Sequence, residues 1–198
     1  MPKIAPLVRQ ERRQALLEAA WRCTARKGFP DLTVDEICAE AGISKGAFYG
    51  YFESKQDLLL ALLEDDAAQL EAVAEQLEPA QFHGIERLRR FTKAMLQRGE
   101  DRARVQVRAD LWAAASTDGI VKKRLSLTVA RRRARLRRWI ESAVGEGELV
   151  QLPANAFASI LLALGDGLML HAGMDPAGFR WQNIRRALDV LLEGIRAD

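Results

Sequence analysis

Apolar residues recur at spacings of three and four along most of the chain, the period of helices that bury one face. Leu16, Ala19, Ala20 and Cys23 share one side of a segment from about Arg9 to Lys27, and Gly28 follows it. Glycine ends helices because it enters the left-handed region at no steric cost. Thr33-Val34-Asp35-Glu36 has the form of a capping box and predicts a short helix ending near Ala41, after which Gly42 turns the chain. Ser44 caps a second short helix, Lys45 to Tyr51. Ser54 opens a longer one through Leu58, Leu59, Leu62 and Leu63 to about Leu77, stopped by Pro79. Five more helices are predicted at about Phe82–Gly99, Arg102–Ala115, Asp118–Glu146, Pro153–Ala172 and Arg180–Arg196, with Asp175-Pro176-Ala177-Gly178 as a turn. No segment alternates strictly between apolar and polar, so the pattern predicts an all-α protein of about nine helices. Met1–Gln10, carrying Pro2 and Pro6, is expected to be a loose arm.

Composition adds bounds. The chain has 198 residues, 48% hydrophobic, enough for one large domain or two small ones. The domain boundary is expected on the helix that starts at Ser54, dividing the chain into residues 1–53 and 54–198 without a flexible linker. A net charge of +3 and a pI near 9.1 are too mild to indicate nucleic acid by themselves. The distribution says more: basic residues crowd Arg87–Arg108 and Lys122–Arg138, whereas Glu64–Glu78 is acidic. Cys23 and Cys38 are expected to be buried thiols in a reducing cytoplasm. Met1–Gln10 lacks the apolar core of a secretory leader, and the best apolar stretch, Ala156–Leu164, is too short to cross a membrane. No phosphate loop, nucleophile motif or metal-ligand spacing accompanies His83 and His171, so an enzyme, a cofactor and a metal are not expected.

The most specific signal lies between Thr33 and Phe52. Two short helices joined by a tight glycine-containing turn, with an apolar seam between them, make a helix-turn-helix. Val34, Ile37 and Cys38 supply the seam of the first helix, Ala41-Gly42-Ile43 the turn with Ile43 as a plug, and Ala47, Phe48 and Phe52 the seam of the second. Ser44, Lys45, Gly46, Tyr49 and Gly50 then face outward. The run Thr33–Leu59, with its Ala41-Gly42-Ile43-Ser44 turn, Tyr49-x-x-Phe52 and Ser54-Lys55-x-x-Leu58, resembles the DNA-binding signature of the TetR family of bacterial transcriptional regulators. The resemblance is strong over about the first sixty residues and weaker beyond. It implies that Thr33 donates to a phosphate or only caps its helix. It also implies that Ser44, Lys45 and Gly46 meet the major groove, Tyr49 contacts phosphate, sugar or a thymine methyl, Tyr51 reaches a flanking phosphate, and Lys55 clamps a phosphate. Ala47 and Gly50 depart from the pattern, since many relatives carry hydrogen-bonding or bulky residues there. Thr24 replaces a buried phenylalanine, whose space Trp21 is expected to fill.

The remaining helices have two tasks to perform, dimerisation and sensing. By the resemblance, the last two helices pack against their copies in a homodimer, for which Leu161, Leu164, Leu168, Leu188, Leu192 and Ile195 are the candidate contacts. The alternative is that these residues face the subunit's own core. Phe91, Met95, Leu111, Trp112, Trp139 and Asp166 are the candidate lining of a pocket for a small-molecule effector, although all but Asp166 suit a core equally. Six arginines in Val129–Trp139 cannot share one face and read as a solvated or ion-paired stripe, or as a second DNA surface or an anionic-effector site. The function these features imply is a ligand-responsive repressor that binds double-stranded operator DNA as a homodimer. A constitutive DNA-binding regulator, or an activator, is the alternative.

Overall fold

The computed structural model describes residues 6–78 and 82–197. Among them are nine α-helices: α1 (Pro6–Lys27), α2 (Val34–Ala41), α3 (Lys45–Phe48), α4 (Lys55–Gln76), α5 (Gly84–Gln97), α6 (Arg102–Thr117), α7 (Gly119–Gly145), α8 (Ala154–Met174) and α9 (Trp181–Glu193). A single 3₁₀ turn, Arg98–Glu100, joins α5 to α6. No β-strand occurs among the described residues; one isolated bridge pairs Leu149 with Arg196.

Local chemistry explains the N-terminal elements. The Thr33 hydroxyl accepts from the Glu36 backbone N–H and the Glu36 carboxylate reaches back to Thr33, so both arms of the capping box form. Gly42 ends α2 at φ 65°, a conformation in which a Cβ would be strained. Glu40 of α2 pairs with Arg22 and Arg26 of α1 at 2.7 and 2.6 Å, and Lys27 binds Glu36 at 2.5 Å. Hydrogen bonds from Lys27 first, then from the Thr33 hydroxyl and backbone, hold the Glu36 carboxyl at about 2, below its ordinary 4.5. A depressed folded-state value stabilises the fold fully above pH 4.5 and stops doing so as the pH falls toward 2. The melting-temperature advantage of the wild type over Glu36→Gln, followed by circular dichroism, is therefore expected to shrink across that window; a constant gap would contradict the pairing.

Two apolar clusters share the long helix α4. The first gathers Leu16, Leu17, Ile37, Phe48, Phe52, Leu58 and Leu62, and borrows Val107, Leu111, Val121 and Leu125 from α6 and α7. The second gathers Leu70, Ala74, Leu88, Phe91, Met95, Trp139, Ile140, Leu161, Leu188 and Leu192. One half of α4 thus belongs to the N-terminal helices and the other to the C-terminal body. Helices α5 and α7 approach closely because position 84 is glycine: a Cβ there would lie 2.4 Å from the Ala143 Cβ.

Three expectations need correcting. The first helix begins at Pro6, not near Arg9, because proline fits the first helical position, where its missing N–H has no partner to lose. Residues 6–10 are thus helical rather than part of a loose arm, and residues 1–5 and Pro79 lie outside the described residues. Helix α3 covers only Lys45–Phe48, and Tyr49–Tyr51 continue as tight turns with Gly50 N–H to Ala47 O and Tyr51 N–H to Phe48 O at 3.0 and 2.8 Å. Two glycines in seven residues remove the helix propensity needed for more. Helix α8, at 21 residues and a mean hydropathy of 1.5, is long and apolar enough to cross a membrane by length and composition. In the folded chain it instead packs against α5, α6 and α7.

Candidate nucleic-acid interface

The segment after Gly42 is fixed from below and open above. Ser44 accepts from the Ala47 N–H at 3.2 Å and caps α3. Phe48 is fully buried and meets Tyr49 edge-on, at 5.4 Å and 88°, and Phe52 at 5.5 Å. On the opposite side Ser44, Lys45, Gly46, Tyr49 and Gly50 are all exposed. Tyr49 leaves 53% of its surface open, and nothing lies within 4 Å of where a Gly46 Cβ would stand, so a partner's surface can approach the backbone there. Lys45 pairs with Asp35 at 2.9 Å with both side chains more than half exposed. That carboxylate raises the lysine pKa, so the ammonium stays charged at any physiological pH.

Arginines from α1, which motif spacing in α2 and α3 does not reveal, flank this surface. Arg9 donates to the Gly50 carbonyl at 3.2 Å and lies 5.8 Å from the Tyr51 ring centre; Arg13 lies 5.3 Å from that of Phe52. The first bond gives Gly50 a role, since its carbonyl is bound by Arg9 and a Cβ there would press on the Ala47 carbonyl at 3.2 Å. Arg9, Arg12 and Arg13 are spaced by three and one in the first turns of α1, the detectable signal of a basic helix face.

Other predicted contacts are differently engaged. The Thr33 hydroxyl donates to Glu36 at 2.7 Å, so its only proton is already used within the cap. Tyr51 is half-buried against the first core. Lys55 is engaged within the subunit: its ammonium donates to the Pro30 carbonyl at 2.6 Å and sits 5.0 Å from the Phe29 ring centre, and partial burial lowers its pKa. The lysine ties α4 to the loop after α1, because a backbone acceptor and an aromatic face lie within its reach. Ile43 is half-buried rather than a sealed plug. Thr24 itself is buried, while Trp21 lies at the junction with α4 and α6, donating to Asp65 at 3.1 Å under the Arg104 guanidinium. Both cysteines are buried, and desolvation raises their pKa values.

The candidate effector residues do not converge. Phe91, Met95 and Trp139 form one cluster, with Phe91 edge-on to Trp139 at 5.5 Å. Leu111 belongs to the other apolar cluster, and Trp112 is 44% exposed. Asp166 lies 3.7 Å from Arg108. Of the candidate dimer contacts, Leu161, Leu188 and Leu192 are buried in the subunit's own core, and Leu164, Leu168 and Ile195 are partly buried against it. The apolar residues turned to solvent are their neighbours: Ile160 and Met174 on α8, Val190 and Leu191 on α9. Helix α8 is apolar on both faces, so periodicity alone does not say which one the subunit covers, and the amphipathic α9 still leaves Val190 and Leu191 open. His83 and Glu148, 3.1 Å apart, converge with Glu146 on the surface although no sequence spacing joins them.

A helix-turn-helix whose outer face is open, joined through α4 to a larger helical body, defines the class of bacterial helix-turn-helix regulators. Residues 16–62 match the model of bacterial regulatory proteins of the tetR family, and residues 84–197 match the BetI-type transcriptional repressor C-terminal model. The chain belongs to the TetR family. It is 30% identical to the HTH-type transcriptional regulator BetI of Cronobacter sakazakii, over 93% of this chain and 90% of that one. It is 41% identical to the HTH-type transcriptional repressor AcnR of Corynebacterium diphtheriae over 38% of this chain, an alignment spanning 40% of that relative. The fold is shared with a regulator of Saccharomonospora viridis whose crystal structure is a complex with choline, at a TM-score of 0.78, 22% identity and coverage of 96% and 99%.

Proposed function

We propose that this protein is a cytoplasmic repressor that binds double-stranded operator DNA as a homodimer and is released by a small-molecule effector. Residues 1–53 form the DNA-binding unit and 54–198 the effector-binding and dimerisation unit. The observation that carries the reading is the outward face of Ser44, Lys45, Gly46 and Tyr49, held on a fully buried Phe48 and flanked by Arg9. In this motif the start of the second helix enters the major groove and basic flanks hold phosphates.

Two copies are needed to reach two grooves about 34 Å apart. Ile160, Met174, Val190 and Leu191, each more than half exposed, supply the kind of apolar surface that a subunit interface covers. The choline complex of the structural relative favours a sensing role for the C-terminal body. Effector and operator would then compete through the dimer's spacing, each weakening the other by the same factor. The test is Lys45→Ala on a selected duplex, followed by fluorescence anisotropy. A base contact predicts a loss of about 1–3 kcal/mol, roughly 5- to 150-fold in affinity, with the melting temperature nearly unchanged. Wild-type affinity in this variant would remove Lys45 from the interface.

A further inference from the structure

We propose that the C-terminal body contains a receptor for a small organic anion, a carboxylate or phosphate, at the paired guanidiniums of Arg108 and Arg132. The proposal rests on the ligand-responsive reading and names the chemistry of the ligand.

Six charged side chains, from α4, the 3₁₀ turn, α6, α7 and α8, meet where these elements pack. Asp66 of α4 is gripped by Arg98, at 3.0 Å, and by Arg104. Arg108 of α6 is only 5% exposed, yet its nearest carboxylates, Asp66 and Asp166, each stand off at 3.7 Å, and its Nη1 has no hydrogen-bond partner. Arg132 of α7 is 8% exposed; its Nη2 has no partner, and it forms no ion pair among the described residues. Four guanidiniums therefore face two carboxylates, with Arg108, Arg132 and Asp66 buried and the others half-buried, and Asp66 is already occupied by the two that hold it closely. Asp101, which pairs with Arg104, and Asp65 lie nearer the rim. Burial pushes Arg132 down to about 10, which still leaves it charged at neutral pH.

Uncompensated buried charges are strongly unfavourable, and proteins normally pair them. Here the donors left over are the forked N–H groups that suit carboxylate and phosphate oxygens. A groove of about 350 Å³ between α4 and α7 reaches Arg132; its lining mixes Leu63, Ala67 and Leu127 with Glu64, Glu71, Arg124 and Arg131. The apolar part of that lining fits the body of an organic anion whose head group meets Arg132, while Glu64 and Glu71 are drawn off by Arg124 and Arg135. An anion there would also weaken the pull of Arg108 on Asp66, and so act on α4, which carries Asp66 in its middle and the first core at its start. A second cavity, of about 700 Å³, is lined by Pro176, Phe179 and Trp181 together with Glu100, Arg102 and Arg185.

The experiment is thermal unfolding of the full-length protein at fixed ionic strength with benzoate, phenyl phosphate, neutral benzamide and cationic benzyltrimethylammonium, on the wild type and Arg132→Met. The proposal predicts that benzoate or phenyl phosphate raises the wild-type melting temperature by about 5–10 °C near saturation, and that the neutral and cationic probes do not. The better of the two anions identifies the head group. Arg132→Met should melt at or above the wild type without ligand and lose the anion response, because an unpaired buried charge has been removed. A variant that melts lower yet also loses the response still supports the site, since Arg108→Met must then lose it too. No shift by either anion at millimolar concentration, or an equal shift in both variants, overturns the proposal. A shift by only the neutral or cationic probe also overturns it while leaving the ligand-responsive reading intact. DNA binding that no probe weakens counts against that broader reading instead.

Discussion

Asp66→Asn is expected to lower the melting temperature by roughly 6–20 °C. The substitution preserves volume and removes one negative charge from an interior where Arg98, Arg104 and Arg108 already surround it. Breaking a buried pair costs about 3–5 kcal/mol because its partners stay buried and unpaired. For a chain of this length each kcal/mol shifts the midpoint by about 2–4 °C. Arg98 supplies much of the effect, since burial already lowers its pKa and the Asp66 charge is the first influence opposing that. The measurement is circular dichroism at one protein concentration, because dimerisation would make the midpoint concentration-dependent. An unchanged midpoint would mean that these arginines are solvated in solution.

Phe48→Ala is expected to cost a similar amount, about 3–5 kcal/mol, through a cavity under the recognition segment. Phe48 is fully buried, and its ring supports Tyr49 and Phe52. Its loss should lower the midpoint by roughly 6–20 °C. It should also weaken DNA binding at temperatures where the variant is still folded, because Tyr49 loses the surface that aims it. Tyr49→Ala gives the contrast: it should weaken DNA binding with little change in midpoint, since Tyr49 is 53% exposed. A small effect of Phe48→Ala on stability would mean that α3 does not dock on this core.

What the sequence reveals here follows the range of the interactions. The capping box at Thr33–Glu36, the Gly42 turn and the Ser44 cap act over three or four residues, so adjacent letters carry them and the helix-turn-helix could be read from its own span. The long helices were legible from their period. Helix α8 is apolar all round, so its sequence does not say which face its own subunit covers: Leu161 is buried while the neighbouring Ile160 is exposed. Only the packing against α5 and α7 decides between them. The interior charge cluster was least legible. Its members come from α4, the 3₁₀ turn, α6, α7 and α8, and Arg132 sits in a run of arginines that otherwise reach solvent or pair outward, as Arg135 does with Glu71. Lys55 is where the pattern puts it, and its ammonium is held by the Pro30 carbonyl, an acceptor 25 residues away that no motif spacing indicates.

The central claim is that two copies of the Ser44–Tyr49 face read two half-sites of one duplex. Selection of bound sequences from a randomised duplex pool at low salt tests it most directly. The account predicts enrichment of an inverted repeat with half-site centres about 10–10.5 base pairs apart, or a multiple of that, and its disappearance when Lys45 and Tyr49 are both alanine. A bound pool no different from the input, or one unchanged in the double variant, would contradict it.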